Sequence, residues 1–186
     1  MITFEYLLAA LVVVLVPGTG VIYTVGIGLV HNRLSMIYAA LGCTLSITPH
    51  LLASIFGLSA ILNSSAVMFN VVKILGVIYL LYMACYMFMD KGVLQFTSGK
   101  SQIINFSIIK NGFLVNCLNP KLSIFFLAFI PQFISKSSSS PLLSMFTLGI
   151  VFMLITLIVF TIYGCCANLL QKHIAHSKGI IGYVQK

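Results

Sequence analysis

Acidic residues are nearly missing from this chain. Glu5 and Asp90 are the only carboxylate side chains in 186 residues, against 10 Lys and Arg, for a net charge of +8. Charged residues of both signs make up 6% of the sequence, where a soluble globular domain carries about 25%. So few charges cannot cover a water-soluble globule, and a sequence that is 60% apolar is equally far from the disordered class. Tryptophan is absent, which leaves interfacial anchoring to 8 tyrosines. No CxxC pair occurs among Cys43, Cys85, Cys117, Cys165 and Cys166. All five fall in apolar runs and read as small buried hydrophobes, not as a disulfide frame or zinc site. With no acid at depth, a metal-ion site has only His50 to draw on, so no metal and no cofactor are expected. The basic residues stand singly between apolar runs, which argues against nucleic acid and for the loops of a membrane protein.

What is present is long and apolar. Runs cover residues 4–29, 36–62, 66–89, 106–134 and 141–170, each long enough to cross a hydrocarbon core. The first is interrupted by Pro17-Gly18-Thr19-Gly20 and the fourth by Asn119-Pro120-Lys121. His50 lies inside the second run and Lys73 in the first third of the third. Residues 171–186 form a tail with Lys172, His173, His176 and Lys178 and only a stub of further apolar sequence. The expectation is an all-α polytopic helical bundle of five spans and a stub.

Arg33, then Lys91, Lys100 and Lys110, then Lys172, Lys178 and Lys186 follow the odd-numbered spans, whereas Lys136 alone serves the other side. The bias places the odd loops in the cytoplasm and the N-terminus outside. The two halves also echo one another. A proline break at Pro17 is matched at Pro120, and a Leu41-Gly42 pair in the following span is matched by Leu148-Gly149. Three spans separate the halves, so they enter from opposite sides, as in an inverted repeat. The chain is expected to be one domain over residues 1–186, with a first repeat about 1–90 and an incomplete second repeat about 106–186.

The stretch Gly112-Phe113-Leu114-Val115-Asn116-Cys117-Leu118-Asn119-Pro120-Lys121, with Phe125-Phe126 and Pro131-Gln132-Phe133 after it, resembles the LysE-type amino-acid efflux family, which includes homoserine and threonine exporters. Lys73-Ile74-Leu75-Gly76 with Tyr79 and Tyr82, and His50 with Gly57-Leu58-Ser59-Ala60, resemble it as well. Pro17-Gly18-Thr19 departs from the family's Pro-Gly-Pro but keeps the break. The resemblance implies six spans, so a sixth is expected to be missing or truncated here. It also implies a multi-pass protein of the bacterial inner membrane that exports a small amino acid and is not an enzyme, in contact with lipid; a homodimer is expected as one arrangement. A truncated, inactive family member and a membrane thiol carrier through Cys43 and Cys117 are the alternatives.

An amino acid needs a positive partner for its carboxylate and a negative one for its ammonium. Helices restarting after Pro17 and Pro120 offer free N–H groups and a positive dipole end, and Lys121 adds a full charge. Helix halves ending there leave carbonyls for the ammonium. The expected substrate-binding residues are therefore Pro17, Gly18, Thr19, His50, Asn119, Pro120 and Lys121, against the bland readings of a kinked helix and a hydrogen-bonded structural histidine. Lys73 either lines the cavity or snorkels to the interface, and Tyr79 either lines it or packs in an aromatic belt. Since no acid is available at depth to offset a cationic side chain, the expected substrate is neutral, such as threonine or homoserine.

Overall fold

The computed structural model describes residues 2–62, 71, 74, 78, 82, 105–134 and 140–184, with side chains at 58–62 and at most positions beyond 171 outside that description. The described elements are helical: α1 (Phe4–Leu15), α2 (Thr19–Val30), α3 (Arg33–Leu45), α4 (Ile47–Leu62), α5 (Asn105–Cys117), α6 (Pro120–Ile124) and α7 (Pro141–Val184). Among the described residues there is no strand. The chain is an all-α protein of the polytopic membrane type. Arg33–Gly57 and Pro141–Gln171 are long and apolar enough to cross a membrane, and so is each of two bent pairs taken as one broken span.

The breaks have local causes. Thr3 starts α1 by accepting from the Tyr6 N–H, and Pro17 ends it because it has no N–H to give the Val13 carbonyl four residues back. α2 leaves at 56° to α1. Asn119 stops α5 and caps α6, its Oδ1 accepting from the Lys121 N–H at 3.1 Å, and Pro120 occupies the first turn where its missing donor is harmless. The bend there is 57°. A single turn residue, Ser46, separates α3 from α4. Pro49 accounts for it, since a proline four residues on cannot serve the Leu45 carbonyl. Beyond α6 the helix loosens into a π turn, Phe125–Phe129, and tightens into a 3-10 turn, Ile130–Phe133, around Pro131.

α7 differs from the sequence expectation. The apolar run ends near residue 170, but the helix continues unbroken to Val184, 44 residues in all, or roughly 66 Å. Residues 171–184 contain no proline, and their two glycines weaken a helix without ending it. The tail is therefore the end of α7, not a separate stub.

α7 is the central strut: it packs along α2 and α3, while α3 lies along α5. Small residues set these distances. A Cβ at Gly28 would lie 2.6 Å from the Gly164 carbonyl oxygen, so α2 and α7 touch backbone to backbone. The core is aromatic. Phe125 stacks on Phe152 with centroids 4.6 Å apart, and Phe126 meets the same ring edge-on at 5.4 Å. Tyr6 is fully buried, and its hydroxyl donates to the Leu148 carbonyl at 2.6 Å. The outer surface is apolar, with Phe4, Phe56, Leu118, Leu143 and Ile158 all largely exposed, as expected where the solvent is lipid.

The cysteines correct one expectation. Cys43 is buried, its thiol directed at the Gly112 and Gly20 carbonyls at 3.5 and 3.7 Å. Cys117 and Cys165 are only partly buried and Cys166 is exposed. In a bilayer a cysteine on the lipid side has no penalty to avoid, so an apolar run does not dictate burial. All four are free thiols, and Cys85 lies outside the described residues.

Candidate functional site

The two helix breaks meet. Lys121, at the start of α6, is 7% exposed. Its Nζ donates to the Val13 carbonyl at 3.0 Å and the Val16 carbonyl at 2.8 Å. Val13 is in the last turn of α1 and Val16 is its C-cap, and Val13 is the residue whose regular donor Pro17 abolishes. The proline of one break creates an orphan acceptor, and the lysine of the other break fills it. The ammonium also sits at the negative end of the α1 dipole. Among the described residues no carboxylate pairs with Lys121; Glu5, the acid described, is exposed in the first turn of α1.

An asparagine pair holds this arrangement. Asn119 Nδ2 donates to Asn116 Oδ1 at 3.2 Å. Asn116 Nδ2 donates in turn to the Cys43 carbonyl at 2.8 Å and to Ser46 Oγ at 2.9 Å, while Ser46 Oγ donates to the Cys43 carbonyl at 2.6 Å. Asn116 thus ties α5 to the loosened turn between α3 and α4. Gly20 makes room for it, since a Cβ there would lie 2.5 Å from Asn116 Oδ1. Gly18 is the residue before α2, with no side-chain cap on that helix, and a Cβ on it would approach Asn119 Nδ2 to 3.1 Å and Lys121 Nζ to 3.3 Å.

Gly18, Asn116, Asn119 and Lys121 line a cavity of about 10 Å³ together with Val13, Val14, Gly20, Leu122, Phe152, Thr156 and Phe160. That volume holds about one water molecule. The lining combines an ammonium, two amides and glycine backbone with Phe152, Thr156 and Phe160 of α7.

Of the residues expected from sequence, the structure gathers Gly18, Asn119 and Lys121 around this cavity. Pro17 and Pro120 flank it as the breaks themselves. Thr19 is exposed and its hydroxyl donates to the Val115 carbonyl at 3.2 Å, linking α2 to α5. His50 stands apart from the lining on α4, its Nδ1 3.2 Å from Ser123 Oγ and its buried Nε2 without a partner among the described residues. Lys73 and Tyr79 lie outside the described residues. Asn116 was not anticipated, although it is an amide in the last turn of α5, just before the break at Asn119. Thr156 carries no signal in sequence, being one threonine in an apolar run. Among the described residues no His, Cys, Asp or Glu cluster could hold a metal.

Residues 11–184 match the family described as LysE type translocator. A leucine efflux protein of Klebsiella pneumoniae is 28% identical over 148 residues, 78% of this chain and 69% of that protein. A homoserine/homoserine lactone efflux protein of Salmonella typhimurium is 26% identical over 176 residues, covering 95% and 84%. An uncharacterized membrane protein of Vibrio cholerae is 28% identical over 132 residues, 71% of this chain, and the match spans 64% of that relative's length. No solved structure matches. With a match that runs through nearly the whole sequence, the chain belongs to the LysE type translocator family.

Proposed function

We propose that this protein is a secondary transporter that exports neutral amino acids across the bacterial inner membrane, with the substrate bound between the two helix breaks. The observation that carries the reading is Lys121 Nζ on the Val13 and Val16 carbonyls. A buried cation hydrogen-bonded to two backbone carbonyls occupies a position that suits a substrate ammonium. An arriving amino acid would place its own ammonium on those carbonyls, and Lys121 would turn to its carboxylate, joined by the uncapped N-terminal N–H groups of α2. The exchange conserves charge: one ammonium replaces another, and the carboxylate brought in pairs with the lysine displaced.

The same charge balance selects against cationic substrates. A lysine or arginine substrate would bring a second positive charge into a lining that offers no acid among the described residues. The names of the relatives, leucine efflux and homoserine/homoserine lactone efflux, point the same way. The cavity of about 10 Å³ is far smaller than an amino acid, so binding requires α1 and α7 to part. The paired bends of 56° and 57° favour two inverted repeats, about 1–90 and 106–186, rocking about this centre with the N-terminus outside. His50, beside Ser123 on α6, is the titratable group best placed for proton coupling. A homodimer is compatible with the exposed apolar faces of the bundle.

The test is efflux from proteoliposomes of the purified protein, loaded with labelled leucine, threonine, homoserine or lysine. Neutral amino acids should leave faster than from protein-free vesicles and lysine should not. Lysine or arginine leaving faster than every neutral amino acid would overturn the reading.

A further inference from the structure

The cavity has a wall that no part of the binding scheme above uses. On α7, Phe152, Thr156 and Phe160 face it at intervals of one helical turn. Thr156 is the polar member of that wall and is almost wholly buried, at 2% exposure. Its hydroxyl donates to the Phe152 carbonyl at 2.8 Å. That bond consumes its one proton and leaves the oxygen free to accept. Thr156 and Lys121 line the same small cavity, so a substrate held by Lys121 would lie beside α7.

We propose that Thr156 determines specificity among neutral amino acids, by accepting a hydrogen bond from a hydroxylated side chain while Phe152 and Phe160 enclose its carbon atoms. This rests on the reading of the cavity as an amino-acid site and deepens it by naming a specificity-determining residue. A threonine hydroxyl bonded back to its own helix is a common structural device, so the test must separate recognition from packing.

The experiment compares near-isosteric pairs, homoserine against norvaline and threonine against valine, exported from proteoliposomes by the wild type, Thr156→Val and Thr156→Ser. A protein that reads the hydroxyl prefers the hydroxylated member of at least one pair. Thr156→Val keeps the shape and removes the acceptor, so that preference should fall about three- to tenfold, the worth of one neutral hydrogen bond. Thr156→Ser should retain it. A ratio that Thr156→Val leaves unchanged, including an equal loss of both members, would overturn the proposal and leave Thr156 a packing residue. Export of none of the four by the wild type would overturn the amino-acid reading and this proposal with it.

Discussion

The pairing of Pro17 with Lys121 can be tested without any substrate. Lys121→Met removes two bonds from an ammonium to the Val13 and Val16 carbonyls. Hydrogen bonds to charged groups contribute about 1.5–3 kcal/mol each, so about 3–6 kcal/mol is at stake. Against this, removing a charge from the membrane interior relieves about 2.5–3.5 kcal/mol. The net effect should lie between near zero and about 3.5 kcal/mol of destabilisation, which by itself decides little. The coupling is sharper. In a Pro17→Ala background, the substituted residue supplies the N–H that Val13 lacks, and the lysine bond to that carbonyl becomes redundant. Lys121→Met should then cost about 1.5–3 kcal/mol less than in the wild type, the value of the Val13 bond. The assay is a double-mutant cycle on reversible unfolding in mixed detergent micelles. Additivity within about 0.5 kcal/mol would refute the argument that the proline creates the acceptor the lysine fills.

Three further outcomes follow from the same geometry. Asn116→Leu loses its bonds to the Cys43 carbonyl, Ser46 and Asn119 and should lower stability by about 2 kcal/mol at the mean of about 0.6 per interhelical bond measured in membranes, read as detergent unfolding; an unchanged midpoint would contradict it. Gly28→Ala places a methyl 2.6 Å from the Gly164 carbonyl oxygen and should force α2 from α7 at a cost of about 1–3 kcal/mol, visible as loss of the monodisperse peak on size exclusion, whereas a normal peak and melting temperature would show that the helices yield freely. Reporter fusions after Arg33 and Lys100 should report cytoplasm, and fusions near Asn63 and Ser138 the outside, from the lysine and arginine bias of the loops; an inside signal at Asn63 would invert the topology.

Much of this architecture is written in proline and glycine. Pro17 and Pro120 can be read as breaks because a missing donor acts locally, whatever the helix packs against. The same rule applied to Pro49 finds the turn at Ser46, but that proline lies in an apolar run that reads as one continuous span. The partnership of Lys121 with α1 is legible only as a charge in want of a partner: which carbonyls it finds depends on how two bent helices cross, and sequence spacing does not carry that. Asn116 shows the opposite case. An amide in the last turn of an apolar helix, just before a proline break, needs partners once buried, so the residue alone suffices to single it out. Thr156 offers no such handle, because a threonine that satisfies its own hydroxyl within its helix looks the same whether it faces lipid, core or cavity. The length of α7 exceeds the sequence expectation because hydropathy marks where lipid ends, not where a helix does.

The central claim, that Lys121 receives the substrate carboxylate between the two breaks, is tested most directly by export through Lys121→Met at matched protein level in proteoliposomes. A charge-assisted contact of about 1.5–3 kcal/mol corresponds to a roughly 10- to 150-fold fall in export of leucine or homoserine below saturation, with protein still inserted and folded. Lys121→Met exporting at the wild-type rate would contradict the account and remove the lysine from the site.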